Sequence, residues 1–222
     1  MDWSKYISYF YPNIKDYFDK LIINKEVNHA YLFIGHVDLG LFRVSKEISL
    51  RLITQDLEDV YKKKIIQQFN KGIYPDLYIL KREFNEKTKK NNQNISIEQV
   101  RKLKDQVLHK SFLNLPKIII IKEVERLNKD SANALLKILE EPPANTYFFL
   151  LTDNLDGLLD TIISRCQSIR FYQQPIDKVR DYLLSEYQTN NKLATNIAHL
   201  SAGLVERAII YLEDEEKYKS DI

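Results

Sequence analysis

The sequence predicts an α/β fold: a three-layer domain with a mostly parallel central sheet, followed by a small helical lid domain. Short apolar runs alternate with helical patterns from about residue 30 to residue 172. Two of these runs are apolar on both faces, which is typical of parallel strands covered by helices. No strand pattern follows residue 175. We therefore predict two domains, 1–173 and 174–222.

The composition indicates a globular protein and excludes several classes. Of 222 residues, 44% are hydrophobic and 29% charged, and the net charge is +2. This charge gives no general electrostatic reason for binding nucleic acid or a membrane. The single cysteine, Cys166, excludes a disulfide framework and a multi-cysteine zinc site within the chain. With no apolar run of about 20 residues and no signal-peptide pattern, we expect a cytoplasmic protein.

The first half of the chain begins the predicted sheet. Apolar residues at helical spacing alternate with short apolar runs. The predicted elements are, in order, a helix over 13–24, a strand over 31–34, a helix over 41–53, a polar helix-prone stretch over 54–72, a strand over 75–80 and a solvated, mobile loop over 81–94.

The second half completes the sheet and adds the lid. Ser96 and Gln99 form the pattern of a capping box at the start of a helix. The proline pair at 142–143 ends a later helix, because a residue before proline avoids the α region. The predicted elements are a helix over 95–110, a strand over 117–121, a helix over 131–141, strands over 146–151 and 168–172, and helices over 176–188, 190–200 and 204–215.

The loop after the first strand, in "FIGHVDLGLF", has the outline of a phosphate-binding loop. Gly35 and Gly40 keep the spacing of GxxxxGK[ST], but Leu41 replaces the lysine and Phe42 replaces the hydroxyl residue. Asp38 lies inside the loop and would repel a triphosphate. We expect the loop shape without the charge chemistry, and therefore no bound nucleotide cofactor.

The second half of such a site is an acid that follows a later apolar strand and holds Mg²⁺. Lys122 stands at that metal-ligand position after the isoleucine run, and Glu123 comes next. A cation at this position disfavours Mg²⁺. The two independent losses point the same way, so we expect no metal and no intrinsic ATPase activity.

Several segments together resemble one family. The words "SANALLKILEEPP" and "TIISRCQ" are the strongest, and "NHAYLFIG", "YPDLYIL" and "ISIEQVRKL" precede them in the family's order and spacing. The chain is similar, over roughly residues 10–210, to the delta-prime subunits of the bacterial DNA polymerase III clamp loader, in the AAA+ superfamily. The helical segment "SANALLKILEEPP" alone would be weak evidence for this resemblance. Its combination with the segments that follow it is specific to the family.

The resemblance implies a non-catalytic subunit in a hetero-oligomeric ring with gamma or tau and delta subunits. Such a ring loads the sliding clamp, and this chain would reach the clamp and primer–template DNA only indirectly. The family's SRC motif matches Ser164, Arg165 and Cys166. Arg165 would then be an arginine finger that acts in trans on a neighbour's ATP. The alternative for Arg165 is a surface salt bridge.

Other positions match the family's sensors. Thr152 falls in the sensor-1 region, although a hydroxyl that satisfies backbone groups at a strand end is an equal interpretation. Arg207, in "GLVERA", matches sensor 2 and is expected to hold the lid against the first domain. We interpret Glu140 and Glu141 as solvated surface, since adjacent helical residues point in different directions.

The sequence departs from the family in two places, and two other functions stay open. Residues 54–73 lack the four cysteines of the family's zinc module, and no collar domain follows the lid, as in a fragment or short variant.

An ATP-binding gamma- or tau-type ATPase is one alternative, disfavoured by Leu41, Phe42 and Lys122. A stand-alone nucleic-acid-binding module using Lys81 to Lys90 is the other, disfavoured by the net charge.

Overall fold

The structure, a computed structural model, describes residues 3–86 and 89–214. The last residue of the helix predicted over 204–215, and residues 87 and 88 of the lysine-rich segment, lie outside the described residues. Within the described ranges no helix is both long enough and apolar enough to cross a membrane.

Five parallel strands form the central sheet, in the order β2-β5-β6-β1-β7. This arrangement confirms the predicted α/β class. A separate two-stranded antiparallel hairpin joins β3 and β4. The strands are β1 (Ala30–Ile34), β2 (Leu77–Leu80), β3 (Phe84–Asn85), β4 (Lys90–Asn91), β5 (Lys117–Ile121), β6 (Thr146–Thr152) and β7 (Gln167–Arg170).

The helices agree with the predicted ones to within a few residues, apart from the N-terminal helix and the short helix between β6 and β7, which were not predicted. They are α1 (Trp3–Phe10), α2 (Pro12–Asn24), α3 (Leu41–Thr54), α4 (Asp59–Asn70), α5 (Ile97–Leu108), α6 (Lys129–Glu140), α7 (Asp160–Ile163), α8 (Ile176–Glu186), α9 (Asn191–Leu200) and α10 (Val205–Glu213). We call α8, α9 and α10 the lid helices.

Both faces of the sheet are buried at its central strands β1, β5 and β6, which is why these strands are mostly apolar, whereas the edge strand β7 is polar and largely exposed. Because side chains alternate along a strand, Tyr31 and Phe33 of β1 pack on one face, and Leu32 and Ile34 on the other. Helices α5 and α6 cover the second face. Buried residues of the lid helices belong to the same apolar cluster as the first face. The domain division at residue 173 stays a prediction.

Polar caps set the starts of two helices. Ser96 Oγ accepts from the Gln99 N–H at 3.3 Å, and the Gln99 side chain accepts from the Ser96 N–H at 3.0 Å, which confirms the capping box. Asn128 Oδ1 accepts from the Ser131 N–H at 2.9 Å. Helix α6 therefore begins at Lys129, two residues before the predicted start.

Two segments differ from the sequence prediction. No element was assigned to the first ten residues, yet Tyr6 and Phe10 of α1 are buried against Tyr182 of the lid helices, with a Phe10–Tyr182 ring separation of 4.6 Å. The segment over 81–94, predicted as a solvated and mobile loop, is largely exposed in its described part but contains the paired strands β3 and β4, and Arg82 there is ion-paired with Glu123. The Phe10–Tyr182 contact and the Arg82–Glu123 pair join residues far apart in sequence, whereas β3 and β4 pair locally.

Candidate functional site

The phosphate-loop-like segment leaves the carboxyl end of β1, between β6 and β7. The Gly35 N–H donates to the Thr152 carbonyl at 2.9 Å. A short 3₁₀ turn over Val37–Leu39 follows, and Gly40, with a φ of +82°, begins α3. This is the strand–turn–helix arrangement that the glycine spacing predicted, at the edge of the sheet where ligands bind in such folds.

The backbone donors of this loop are used within the loop. The Asp38 N–H donates to His36 Nδ1 at 3.1 Å, the Leu39 N–H to the His36 carbonyl at 3.0 Å, and the Gly40 N–H to the Val37 carbonyl at 3.4 Å. A working phosphate loop points such N–H groups at the anion. Three donors here instead form the 3₁₀ turn and its cap, so the loop offers a poorer cradle for phosphate.

Two ion pairs join the lid helix α10 to this loop and to α3. Arg207 donates to Asp38 Oδ2 from Nε at 3.0 Å and from Nη2 at 2.8 Å. Glu206 accepts from Arg43 Nη2 at 3.1 Å and from Arg43 Nε at a shorter distance. We call these two pairs the lid latch. An arginine that would attract phosphate and a loop carboxylate that would repel it neutralise each other here.

Apolar side chains occupy the position of the missing phosphate lysine. Leu41 is only 2% exposed and packs in the core. Phe42 lies beside it, and the Lys122 Nζ atom is 4.8 Å from the centroid of the Phe42 ring. Burial lowers the pKa of Lys122. The ammonium group thus stacks on an aromatic face near the position where a carboxylate would hold Mg²⁺.

A small cavity of about 100 Å³ remains beside these groups. Ligand pockets typically measure about 300–1,000 Å³, so this cavity is smaller than a typical ligand pocket. Its lining residues are Gly35, Val37, Leu41, Phe42, Lys122, Glu123, Glu125, Leu151, Thr152 and Asp153.

Two carboxylates, Glu123 and Glu125, follow β5, and each has a different hydrogen-bond partner. Glu123 accepts from Arg82 through both oxygens, at 3.0 and 2.5 Å. Glu125, which the sequence analysis missed, is half-buried, and its Oε2 lies 2.7 Å from the Thr152 hydroxyl oxygen. Burial raises the pKa of Glu125. The only sign of Glu125 in the sequence was that it is the second acid in "KEVE". The turn over Val124–Arg126 places its side chain at the cavity.

Thr152 also contacts the backbone beyond its strand. Its hydroxyl lies 2.7 Å from the Asn154 carbonyl and 3.2 Å from the Asn154 N–H, from which it accepts. These distances fit a hydroxyl that satisfies backbone groups at a strand end, which was one of the two interpretations of this residue.

Arg165 lies elsewhere, in the turn between α7 and β7. Its Nη1 donates to the Thr161 carbonyl at 2.9 Å, and its Nη2 donates to Glu140 Oε1 at 2.6 Å. The side chain remains 34% exposed. Glu140 and Glu141 are exposed, as the interpretation of solvated surface expected, and α6 ends beside this turn, which places the Glu140 carboxylate against the guanidinium.

The residues that flank Arg165 shape the turn. Ser164 Oγ donates to the Thr161 carbonyl at 3.2 Å, and the Cys166 N–H donates to the Ile163 carbonyl at 3.2 Å. Burial raises the pKa of Cys166 to about 12, so its thiol stays protonated at neutral pH.

Arg165 and the phosphate-loop-like segment lie at opposite ends of the parallel strands. In the parallel pair β1–β7, Tyr31 is opposite Gln167 and Ile34 is opposite Arg170. Arg165 precedes the first pair and the loop follows the last one. At about 3.3 Å per residue, the two are separated by more than about 10 Å along the strands. Arg165 therefore does not face the loop of its own chain.

The described ranges 3–86 and 89–214 contain no group of three or more histidine, cysteine or acidic side chains placed to hold a metal ion. The loop, Lys122, Glu125, Thr152 and Arg207 thus form one region at the carboxyl edge, and Arg165 forms a separate one.

Comparison with known families identifies the chain's relatives. The family described as DNA polymerase III, delta subunit, has a sequence model that matches residues 11–175. The chain belongs to this family. It is 27% identical over 205 residues to the DNA polymerase III subunit delta' of Bacillus subtilis, covering 88% of this chain and 59% of that protein.

Other members of the DNA polymerase III family support the same assignment. The subunit delta' of Escherichia coli is 28% identical over 201 residues, with 87% of this chain and 58% of that protein covered. The chain thus spans about three-fifths of the length of these relatives. The Thermotoga maritima RuvB branch migration motor has a TM-score of 0.59 at 15% identity, covering 90% of this chain and 59% of that one. This likeness concerns the AAA+-type fold alone.

Proposed function

We propose that the chain is a non-catalytic clamp-loader subunit of the DNA polymerase III holoenzyme, which helps to load the sliding clamp through contacts with ATP-binding neighbours. The lid latch is the observation that carries this proposal. Asp38 and Arg207 satisfy each other across the loop that would otherwise receive ATP phosphates. Leu41 and Lys122 add an apolar group and a cation where the chemistry needs a lysine and an acid.

The second part of the proposal concerns Arg165, as an arginine finger in trans. A guanidinium is planar, always charged and suited to bind phosphate oxygens. Arg165 is partly exposed, and its separation from its own loop leaves it available to a neighbour. Glu140 would hold the guanidinium in the free subunit, until the γ-phosphate of a neighbour's ATP replaces it. Gamma or tau and delta subunits are the proposed partners, with primer–template DNA reached indirectly.

The finger is tested by replacing Arg165 in a complex reconstituted with its gamma and delta partners. Arg165→Ala is expected to lower DNA-stimulated ATP turnover, and Arg165→Lys to restore little of it, because lysine lacks the planar fork. Loss of a finger costs on the order of 10³-fold at the affected site. The effect on the whole ring is smaller, since other sites keep their own fingers.

Arg180→Ala is the matched control, because Arg180 also forms ion pairs on an exposed surface but lies in the lid helix α8. This variant should leave ATP turnover unchanged. Equal turnover in the Arg165→Ala and wild-type complexes, with both fully assembled, would contradict the finger.

The non-catalytic assignment is tested separately by titrating the isolated chain with ATP and Mg²⁺. We expect no micromolar binding. One relative is a DNA polymerase III subunit gamma, from Buchnera aphidicola, at 28% identity over 195 residues. Micromolar, Mg²⁺-dependent binding would favour the gamma-type alternative. Tight, strongly salt-dependent binding of primer–template DNA by the chain alone would favour the nucleic-acid-binding alternative.

A further inference from the structure

Two oxygen atoms lie at hydrogen-bond distance from the Thr152 hydroxyl, at the end of β6. Glu125 Oε2, from the turn after β5, is 2.7 Å from the hydroxyl oxygen, and the Asn154 carbonyl oxygen is also 2.7 Å from it. The same hydroxyl oxygen accepts from the Asn154 N–H at 3.2 Å. Glu125 and Thr152 both line the small cavity beside the phosphate-loop-like segment.

The two short contacts need one more proton than Thr152 carries. Oxygen atoms about 2.7 Å apart are typical of an O–H···O hydrogen bond, which has a proton between them. A hydroxyl group has one proton to donate, and neither a carboxylate nor a backbone carbonyl has any. With an ionised Glu125, one of the two contacts would therefore bring lone pairs together without a proton.

A protonated Glu125 satisfies every one of these contacts. Its O–H donates to Thr152 Oγ1, and the Thr152 hydroxyl then donates to the Asn154 carbonyl. The Asn154 N–H donates to the second lone pair of Thr152 Oγ1. The single proton and both lone pairs of the hydroxyl are then used.

The surroundings of Glu125 disfavour its charged form. Burial is the first cause that raises the pKa of Glu125, and the charges of Asp153 and Glu123 raise it further. Arg126 Nε, 4.0 Å from Glu125 Oε1, acts in the opposite sense, but its side chain is 50% exposed and its charge is screened by water. Other charged groups near the cavity have their own contacts: Lys122 on the Phe42 ring, Arg82 with Glu123, and Arg207 and His36 with Asp38.

These hydrogen bonds attach the chain that follows β6. Residues 153–159, which we call the post-β6 segment, join β6 to α7. Gly157 of this segment packs on the turn, since a Cβ atom added to it would lie 3.3 Å from Glu125 Cβ. The Asn154 carbonyl is thus held through Thr152 by the carboxyl group on which its own segment packs.

We propose that Glu125 is a carboxylic acid in the folded chain, that it donates to Thr152, and that it is a pH-sensitive switch for the post-β6 segment. When its proton leaves to water, the carboxylate becomes an acceptor and takes the Thr152 hydroxyl as its donor. The Asn154 carbonyl then loses its hydrogen bond, and the segment is released. An effect on Arg165, which follows α7, would rest on the proposed function, whereas the switch itself does not.

The first test is a pH titration of the full chain labelled with 13C at the glutamate carboxyl carbons, followed by NMR. Glu125→Gln identifies the Glu125 signal by its absence. We expect Glu125 to titrate at a higher pH than Glu26, an exposed glutamate between α2 and β1. The hydrogen-exchange protection factor of the Asn154 N–H should fall as the pH rises through the Glu125 midpoint.

Glu125→Gln also tests the direction of the hydrogen bond, because a carboxamide has nearly the same shape and donates without titrating. It should keep the post-β6 segment protected and make that protection independent of pH. The folded wild-type chain keeps a proton that the unfolded chain loses above pH ~4.3. The unfolding constant of the wild type should therefore rise about tenfold per pH unit relative to Glu125→Gln, from pH ~4.3 up to the Glu125 midpoint.

Glu26→Gln is the matched control, because it removes an exposed carboxyl away from the cavity. It should leave the pH dependence of the post-β6 segment as in the wild type.

Three outcomes would overturn the proposal. The first is a Glu125 carboxyl that titrates together with Glu26 or below it. The second is a Glu125→Gln chain in which the post-β6 segment is less protected than in the wild type at every pH, since Thr152 would then need a carboxylate acceptor. The third is a pH dependence of the segment that persists in Glu125→Gln, which would assign it to another group such as Asp153.

Discussion

At the scale of single residues, Gly40, one of the two glycines that suggested a phosphate loop, must be glycine for reasons of local structure. Gly40 has a φ of +82°, and a Cβ atom there would lie 2.1 Å from the Tyr6 hydroxyl oxygen. That hydroxyl donates to the Leu39 carbonyl at 3.0 Å, as does the Tyr11 hydroxyl at 2.7 Å. Contacts with α1 and the residue after it therefore hold this loop.

Gly40→Ala is expected to lower the free energy of unfolding by at least about 3 kcal/mol, since it combines backbone strain with a clash against a buried ring. Gly72→Ala is the control, because Gly72 has a φ of +70° but no atom within 4 Å of the position that an added Cβ would take. It should cost about 1 kcal/mol. Urea unfolding measures both, and equal losses would show that contact with Tyr6 does not constrain the loop.

At the scale of elements, the lid latch joins α10 to the loop and to α3. Arg43 is 11% exposed and its partner Glu206 21%, whereas Arg207 is 36% exposed. Removing one member of a buried pair leaves an uncompensated charge, which costs more than losing an exposed pair. The Arg43–Glu206 pair should therefore contribute more to lid attachment than the Asp38–Arg207 pair.

We expect Glu206→Gln to lower the free energy of unfolding by about 2 kcal/mol, and Asp38→Asn by about 1 kcal/mol. Both should increase hydrogen exchange in α10. Asp177→Asn, in an exposed pair with Arg180, should cost less than about 0.5 kcal/mol. If Glu206→Gln behaved like this control in urea unfolding and hydrogen exchange, the lid latch would not contribute to the stability of the fold.

At the scale of the whole molecule, buried and partly buried tyrosines make the free energy of unfolding depend on pH. Burial is the first cause of a raised pKa for nine tyrosines, and it raises the pKa of Tyr31 and of Tyr182 to about 12. The others are Tyr6, Tyr9, Tyr11, Tyr74, Tyr78, Tyr147 and Tyr187. A phenol whose pKa is higher in the folded state keeps its proton there, while the unfolded chain loses it above pH ~10.

The free energy of unfolding should therefore be insensitive to these groups below pH ~10 and fall between pH ~10 and ~12. The expected slope is about 1.4 kcal/mol per pH unit for each proton that only the folded state retains. Lys122, whose pKa burial lowers, acts in the opposite sense, but only below pH ~10.5. Urea unfolding across this range, with tyrosinate absorbance, tests the sign. Free titration of all 14 tyrosines near pH ~10 in the folded chain would contradict it.

Most of the fold followed from local patterns. The isoleucine run of β5 and the capping box at Ser96 are signals contained in a few neighbouring residues, and both elements formed where they were expected. The missed features depend on distant partners. Helix α1 is held by Tyr182, and the segment after β2 by the Arg82–Glu123 pair. No local periodicity reports such contacts.

The same division applies to the site. The sequence by itself determined the α/β class, the family and the presence of Leu41 at the position where GxxxxGK[ST] has its lysine, because residue type and spacing along one segment decide these matters. Only the tertiary structure decided where the remaining charges go. It pairs Asp38 with Arg207 and Arg165 with Glu140, and returns Glu125 to Thr152. The physical reason is that charge compensation depends on distance in space, which chain folding sets.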